Sequence, residues 1–304
     1  MKLGLFAVNV GDGATPQGAR STAVLAEQLG VESLWTIDHA AVPSGYETEY
    51  PYDESGKMMG GAEEFDIADP LTWLSFAAAV TDRIKLATGI IVLPQRNPVV
   101  LAKQVASLDV LSGGRVVLGV GVGWLAEEFA VVGVPFADRG RRHDDYVEAM
   151  RALWRDTKAT VHNTHVQFDD AISLPHPIHR SVPIVIGGRS ARSARRAAEI
   201  GDGYFPSITD AEQLPPLMEL LAVEMERVQR DPSEIEVTVP YPGNVGELIA
   251  AARGGTAIDH VTGVFERFAQ AGVSRTLLSG LSEDTLRPLL ERLGARIDLT
   301  PTHP

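Results

Sequence analysis

Residues 116–128 read VVLGVGVGWLAEE, an apolar run punctuated by glycines and followed by a helix-like segment. Gly121, Gly123 and Ala126 satisfy G-x-G-x-x-A, the phosphate loop of a dinucleotide-binding turn. Such a turn opens a βαβ unit and carries an acidic residue about 20 positions on, at the end of the next strand. Here the glycines follow the fourth strand-like run of the chain, and the downstream region is RGRRHDDY (residues 139–146), basic and helical. The dinucleotide reading fails on both counts. The alternative is a barrel strand whose C-terminal rim is cleared of side chains, so that Gly121 and Gly123 let a flat ring lie against backbone.

On either side of this strand, strand-like and helix-like segments alternate. Strands are predicted at 2–8, 33–38, 84–91, 116–120, 183–186, 204–206, 235–239 and 275–278. Helices are predicted at 18–29, 70–81, 98–111, 142–154, 191–200, 211–230, 257–271 and 283–294, with a further one near 124–132. Asp69 before Pro70 reads as an N-cap, and Gly30 as a helix stop. Residues 162–168 read as an excursion or hairpin. The segment 39–69, rich in Gly, Pro, Tyr and charge, is a long loop of the kind that usually serves function. Eight strand–helix pairs without a linker predict one α/β domain over residues 1–304. Its architecture is a (β/α)8 TIM barrel, with a parallel eight-stranded barrel and insertions after strands 2 and 4.

Composition narrows the function. Apolar residues make up 44% and charged residues 22% of the 304, which suits a sizeable core. There is no cysteine, which removes disulfides, thiolate catalysis and cysteine metal sites. A formal net charge of −13 argues against nucleic acid, which needs a basic surface. MKLGLFAVNVGDG at the start breaks into polar residues after Val10, so it reads as a first strand rather than a leader. No apolar run approaches the ~18 residues of a membrane span. The expected location is the cytoplasm.

Barrel chemistry sits at the C-terminal ends of strands. Those ends are Asp38-His39 after strand 2, Gly89-Ile90 in or after strand 3, Gly121 to Trp124 after strand 4, and Gly187-Gly188-Arg189-Ser190 after strand 5. Asp38 and His39 form an acid–base candidate, since histidine titrates near neutrality; the alternative is a histidine that caps a loop. The G-G-R-S turn before a helix offers free N–H groups and a hydroxyl, either as an anion site or as a plain N-cap. Arg189, Arg192, Arg195 and Arg196 form one basic cluster and Arg139, Arg141 and Arg142 another. They are either solvated and paired, or hold a multiply anionic ligand. His162/His165 and His176/His179 have metal-like spacing but lie in a loop-rich region, and no metal is expected. No G-x-S-x-G elbow supports a serine hydrolase.

The run TGIIVLPQRNPVVLAKQVASLDVLSGGRVVLGVGVGWLAEEF (88–129) strongly resembles the luciferase-like monooxygenase superfamily, above all its actinobacterial branch associated with the deazaflavin coenzyme F420. IDHAAVPSGYETEYPY (37–52), RGRRHDDY and PIVIGGRSARSARRAAEIGDGY (183–204) match the same branch. The resemblance covers most of residues 2–207 and fades beyond them. It implies a flavin or deazaflavin across the C-terminal mouth, a small-molecule substrate and a homodimer. By position it implies His39 as proton donor with Asp38 beside it. Gly89 and Ile90 would form a non-prolyl cis peptide whose isoleucine presses on the ring, with Gly121 beside the ring. Gly187, Gly188, Arg189 and Ser190 would bind the phosphate. Related sugar-phosphate dehydrogenases carry a glutamate where this chain has Trp124. An indole cannot act as a general acid, so Trp124 is expected to wall an apolar substrate pocket. The expected activity is hydride transfer between coenzyme F420 and an organic substrate. A reduced-FMN monooxygenase and a catalytically silent flavin-binding barrel are the alternatives.

Overall fold

The computed structural model describes residues 1–53, 55–208 and 210–299. Eight strands form its centre: β1 (Lys2–Phe6), β2 (Ser33–Thr36), β3 (Lys85–Thr88), β4 (Val116–Gly121), β5 (Ile184–Gly187), β6 (Gly203–Phe205), β7 (Glu236–Pro240) and β8 (Arg275–Leu278). Every neighbouring pair is parallel, and β1 closes on β8 through Leu3 opposite Thr276. The chain is a (β/α)8 barrel. Its helical layer is α1 (Pro16–Gln28), α2 (Pro70–Ala78), α3 (Pro98–Ser112), α4 (Arg139–Arg155), α5 (Ala191–Ile200), α6 (Leu214–Arg227), α7 (Thr256–Gln270) and α8 (Glu283–Gly294).

The strands read as unbroken apolar runs because both of their faces are covered. Alternate residues face opposite ways. Trp35, Ala87, Val117, Val185, Phe205 and Leu277 form a separate cluster in the barrel interior, with Phe6 packed on it. Their strand neighbours Leu34, Leu86, Leu118, Ile184 and Leu278 belong to the larger core beneath the helices. This parity explains the glycines of VVLGVGVG. Gly119 and Gly121 share the inward face with Val117, and a Cβ on Gly119 would stand 1.8 Å from the Thr88 carbonyl oxygen. Thr88 Oγ1 donates to the Gly119 carbonyl at 2.7 Å, sealing that close approach.

Helix starts follow local chemistry. Asp69 caps α2 as expected, accepting from Thr72 N, and Asn97 caps α3 the same way. Several boundaries differ from the sequence expectation. β1 ends at Phe6 because Ala7 turns to φ 55°, and α1 begins at Pro16 behind the Thr15 cap. The excursion after α4 is an antiparallel hairpin, Ala159–His162 with Gln167–Ala171. The helix Val245–Arg253, capped by Asn244, was not expected. At the opposite end of the barrel from the mouth, Arg275 is buried against Glu32, Glu236 and Thr238. No helix among the described residues is long and apolar enough to cross a membrane.

Candidate active site

The mouth is built from the rim positions named above. At the end of β3 the Gly89–Ile90 peptide is cis, as expected, and strand pairing resumes at Ile91–Val92. The Ile90 side chain lies across the ends of β4 and β5. A Cβ on Gly121 would meet its Cδ1 at 2.6 Å, and one on Gly187 would meet its Cγ2 at 2.7 Å. Two glycines and one isoleucine thus make a low apolar platform at the centre of the mouth.

On one side of the platform stands His39. Its Nδ1 lies 3.0 Å from Glu128 Oε2, and both side chains are nearly inaccessible to solvent. Glu128 Oε1 accepts from Ala40 N at 2.6 Å and Ala41 N at 3.1 Å. Burial alone would raise the Glu128 carboxyl. The hydrogen bond and charge of His39, the Ala41 N–H and Gln95 outweigh it and hold the group below its ordinary value. An ionised carboxylate only accepts, so Nδ1 of His39 carries the hydrogen. Glu128 was not among the sequence candidates. Its one signal is a second glutamate four residues after Trp124, on the short helix Ala126–Val131.

Asp38 faces elsewhere. Its carboxylate accepts from Val92 N at 3.0 Å and from Arg96 Nη2 at 2.7 Å, and Arg96 also reaches Asp69. The adjacent pair Asp38-His39 therefore divides, with one residue tying β2 to the segment after β3 and the other turned to Glu128.

The segment after β2 folds back as a cover. Trp124 is met edge-on by His39, Tyr46 and Tyr50, with ring centroids 6.0, 5.7 and 5.0 Å away. Glu127 accepts from Glu47 N, Thr48 N and Thr48 Oγ1, and Glu63 accepts from Gly45 N and Ser44 Oγ. Tyr52 lies under the Arg189 guanidinium at 5.1 Å. Burial pushes the Tyr50 phenol up to about 12.

Across the platform is the G-G-R-S turn. Gly188 has φ 130°, and Ser190 caps α5 in a reciprocal box with Ser193. The Ser190 hydroxyl thus has an N-cap function. Beside it, a cavity of about 320 Å³ is bordered by Tyr52, Trp124, Arg139, His143, Arg189 and Ser190. It adjoins a wider groove of about 1030 Å³ between the starts of α4 and α5, which brings the two arginine clusters together. Arg142, Arg195 and Arg196 are paired with Asp138, Glu199 and Asp144. Arg139 is lowered by burial and by the nearby charges of Arg196 and Arg192. A bound anion would relieve such like-charge crowding.

The histidine pairs do not converge. His162 binds Asp169, and His165 sits between Asp138 and Asp145. Among the described residues no group of three or more His, Cys, Asp or Glu side chains could hold a metal.

A family model described as luciferase-like monooxygenase matches residues 1–278. The chain belongs to the luciferase-like monooxygenase family. The match runs well past residue 207, beyond which the sequence motifs quoted above do not extend. An uncharacterized protein of Mycobacterium tuberculosis is 32% identical over 213 residues, 70% of this chain and 74% of the relative. The F420-dependent glucose-6-phosphate dehydrogenase of Beutenbergia cavernae is 28% identical over 308 residues, covering 95% and 86%. The FMNH2-dependent dimethylsulfone monooxygenase of Pseudomonas putida is 31% identical over 138 residues, covering 44% and 38%. An F420-dependent secondary alcohol dehydrogenase, solved with an F420-acetone adduct, superposes with a TM-score of 0.76 at 20% identity, covering 98% and 99%. At that identity the likeness concerns the fold alone.

Proposed function

We propose that the protein is an oxidoreductase that moves a hydride between the deazaflavin coenzyme F420 and a small organic substrate at the C-terminal mouth of the barrel. The observation that carries this reading is the sequence of surfaces across the mouth: the His39–Glu128 pair, the Ile90 platform, then the arginine-lined turn. The residues fit such a cofactor. Gly121 and Gly187 lack the Cβ that would collide with Ile90, which leaves a surface suited to a flat ring, with Gly89 carrying the backbone beneath it. Gly187, Gly188, Arg189 and Ser190 would hold the phosphate, on a helix N-terminus whose N–H groups favour an anion. When bound, the deazaflavin supplies a carbon that gives or takes hydride as an electron pair and does not readily activate oxygen.

The chain's own part is orientation and proton management. His39 holds a hydrogen at Nδ1 against Glu128, so Nε2 is the atom that gives or takes the proton accompanying the hydride. Glu128 stabilises the charged ring. Asp38 acts as a positioning residue that fixes the backbone carrying His39. Trp124, Tyr46 and Tyr50 exclude water and favour an apolar substrate rather than a sugar phosphate. The working form is a homodimer, which light scattering tests.

The deciding experiment is titration of the purified protein with F420 and with FMN while oxygen uptake is followed. Tighter F420 binding without oxygen-dependent product supports hydride transfer. Tighter FMN binding with oxygen consumed alongside substrate replaces it with the reduced-FMN monooxygenase, for which the Pseudomonas relative is the precedent.

A further inference from the structure

One buried group near the turn has no part in the chemistry at His39. His143, in the second turn of α4, is 0% exposed. Its Nδ1 is 3.0 Å from Asp144 Oδ1, and the same oxygen accepts from Arg196 Nε at 2.6 Å. Burial raises the Asp144 carboxyl, but His143 and Arg196 outweigh it and hold it below its ordinary value. Asp144 is therefore ionised and can only accept, which places the hydrogen on His143 Nδ1. Nε2 is then a bare lone pair, and it has no hydrogen-bond partner among the described residues. A buried polar atom left unpaired costs about 1–3 kcal/mol and calls for an explanation. His143 borders the same cavity as Gly188, Arg189 and Ser190. Gly140 on α4 makes room for the Arg196 guanidinium, since a Cβ would stand 2.6 Å from its Nη2.

We propose that His143 is a proton-coupled ligand of an oxyanion seated between the Gly187–Ser190 turn and α4. An anion oxygen and Nε2 are both acceptors, so they can meet only across a hydrogen. A fully ionised oxyanion such as sulfate or a phosphodiester brings none, and His143 must take one proton from solvent as it binds. The proposal rests on the reading of this turn as the cofactor's phosphate site and adds proton linkage to it.

Other titratable groups line or flank the same space. The cover brings Glu49 and Tyr52, the β5 turn Arg189, α4 Arg139, and α5 Arg196. Burial raises Tyr52 and pushes Tyr204, on β6, up to about 12. From α3, packed along α4, Lys103 is exposed and Asp109 accepts from Ile178 N. His165, between Asp138 and Asp145 in the hairpin, is the histidine the test must separate.

The test is calorimetric titration of the full chain with sodium sulfate at constant ionic strength, in two buffers of different ionisation enthalpy. We expect about one proton taken up per sulfate, and an affinity that falls about tenfold per pH unit where the free ring is neutral. His143→Gln offers an N–H that does not titrate, so it should bind sulfate with the pH slope gone; His165→Gln should keep the slope. Should the buried substitution not fold, nitrogen NMR of the wild type reads the same event as a second ring N–H on His143 when sulfate is added. No saturable sulfate binding, no proton uptake, or a slope that survives His143→Gln would overturn the proposal. F420 binding without proton-linked sulfate binding overturns only this inference. Proton-linked sulfate binding in a protein that ignores F420 overturns only the proposed function.

Discussion

Replacing Glu128 with glutamine changes one atom and should reverse the tautomer of His39. The carboxylate accepts from His39 Nδ1 at 3.0 Å through one oxygen and from Ala40 and Ala41 N–H through the other. The glutamine carbonyl can keep the two backbone bonds, which leaves its NH2 facing Nδ1. The imidazole must then accept at Nδ1 and carry its hydrogen on Nε2, and its charged form loses an ionised partner. A hydrogen bond to a charged group is worth about 1.5–3 kcal/mol, or about 10- to 150-fold. Turnover should fall by that factor while F420 affinity stays within about twofold. Ring-nitrogen NMR shifts of His39 read the tautomer without any substrate. Glu128→Ala would instead leave a buried histidine and two N–H groups unpaired, with an expected stability loss of about 3–5 kcal/mol. A glutamine variant with unchanged ring-nitrogen shifts and unchanged turnover would refute the reasoning.

Arg189→Ala should weaken F420 binding about 10- to 100-fold, and salt should weaken the wild type; an unchanged Kd in the variant removes Arg189 from the site. Gly119→Ala drives a Cβ to within 1.8 Å of a backbone oxygen and should destabilise by about 1–3 kcal/mol in denaturant unfolding. Gly121→Ala meets the Ile90 side chain, Cδ1 at 2.6 Å and Cγ1 at 3.0 Å, rather than backbone, and should cost less stability than Gly119→Ala but reduce F420 affinity. Glu32 is held at about 2 instead of 4.5, the lowering bonds from Arg275 overcoming burial. A depressed carboxyl stabilises above its unfolded value and loses that contribution as pH falls through its folded one. About 3 kcal/mol should therefore fade between pH 4.5 and 2, and Glu32→Gln should flatten that part of the stability profile. Glu127→Ala should speed amide exchange at residues 47 and 48, raise KM and perturb the His39 ring-nitrogen shifts through Trp124 and the shared helix.

The barrel was legible because its strands are buried on both faces and so stand out as apolar runs between helical periodicities. Their ends were less legible. Nothing local announces that Ala7 leaves the strand, and PGN before Val245 reads as loop although Asn244 caps a helix there. The rim rule puts His39, Trp124 and Arg189 at the mouth, where the structure has them, since position along a strand suffices for that. It could not find Glu128 or His143. Glu128 meets a histidine 89 residues away, and His143 is set apart by burial and by an unpaired nitrogen, neither of which a linear pattern encodes. The same limit applies to Asp38, whose type and position suggest chemistry although its partners are Arg96 and Val92 N.

Two ionic arrangements in the chain show how alike residues serve different ends. At the N-terminal end of the barrel Arg275 is 1% exposed, with two carboxylates and a hydroxyl on its guanidinium, and buried geometry of this kind at that face serves stability. At the mouth, Glu127 and Glu128 are neighbours on one short helix, and each is spent on the segment after β2. Glu127 receives the backbone of Glu47 and Thr48, and Glu128 receives Ala40, Ala41 and the His39 ring. Trp124, two residues before that helix, touches both the cover and His39. A displacement of the helix Ala126–Val131 therefore cannot move the cover without also moving the acceptor that sets the histidine tautomer. Under the proposed function, the cover over the substrate and the acceptor that arms the proton donor share one short helix, and a rate that depends on proton transfer must also depend on the cover.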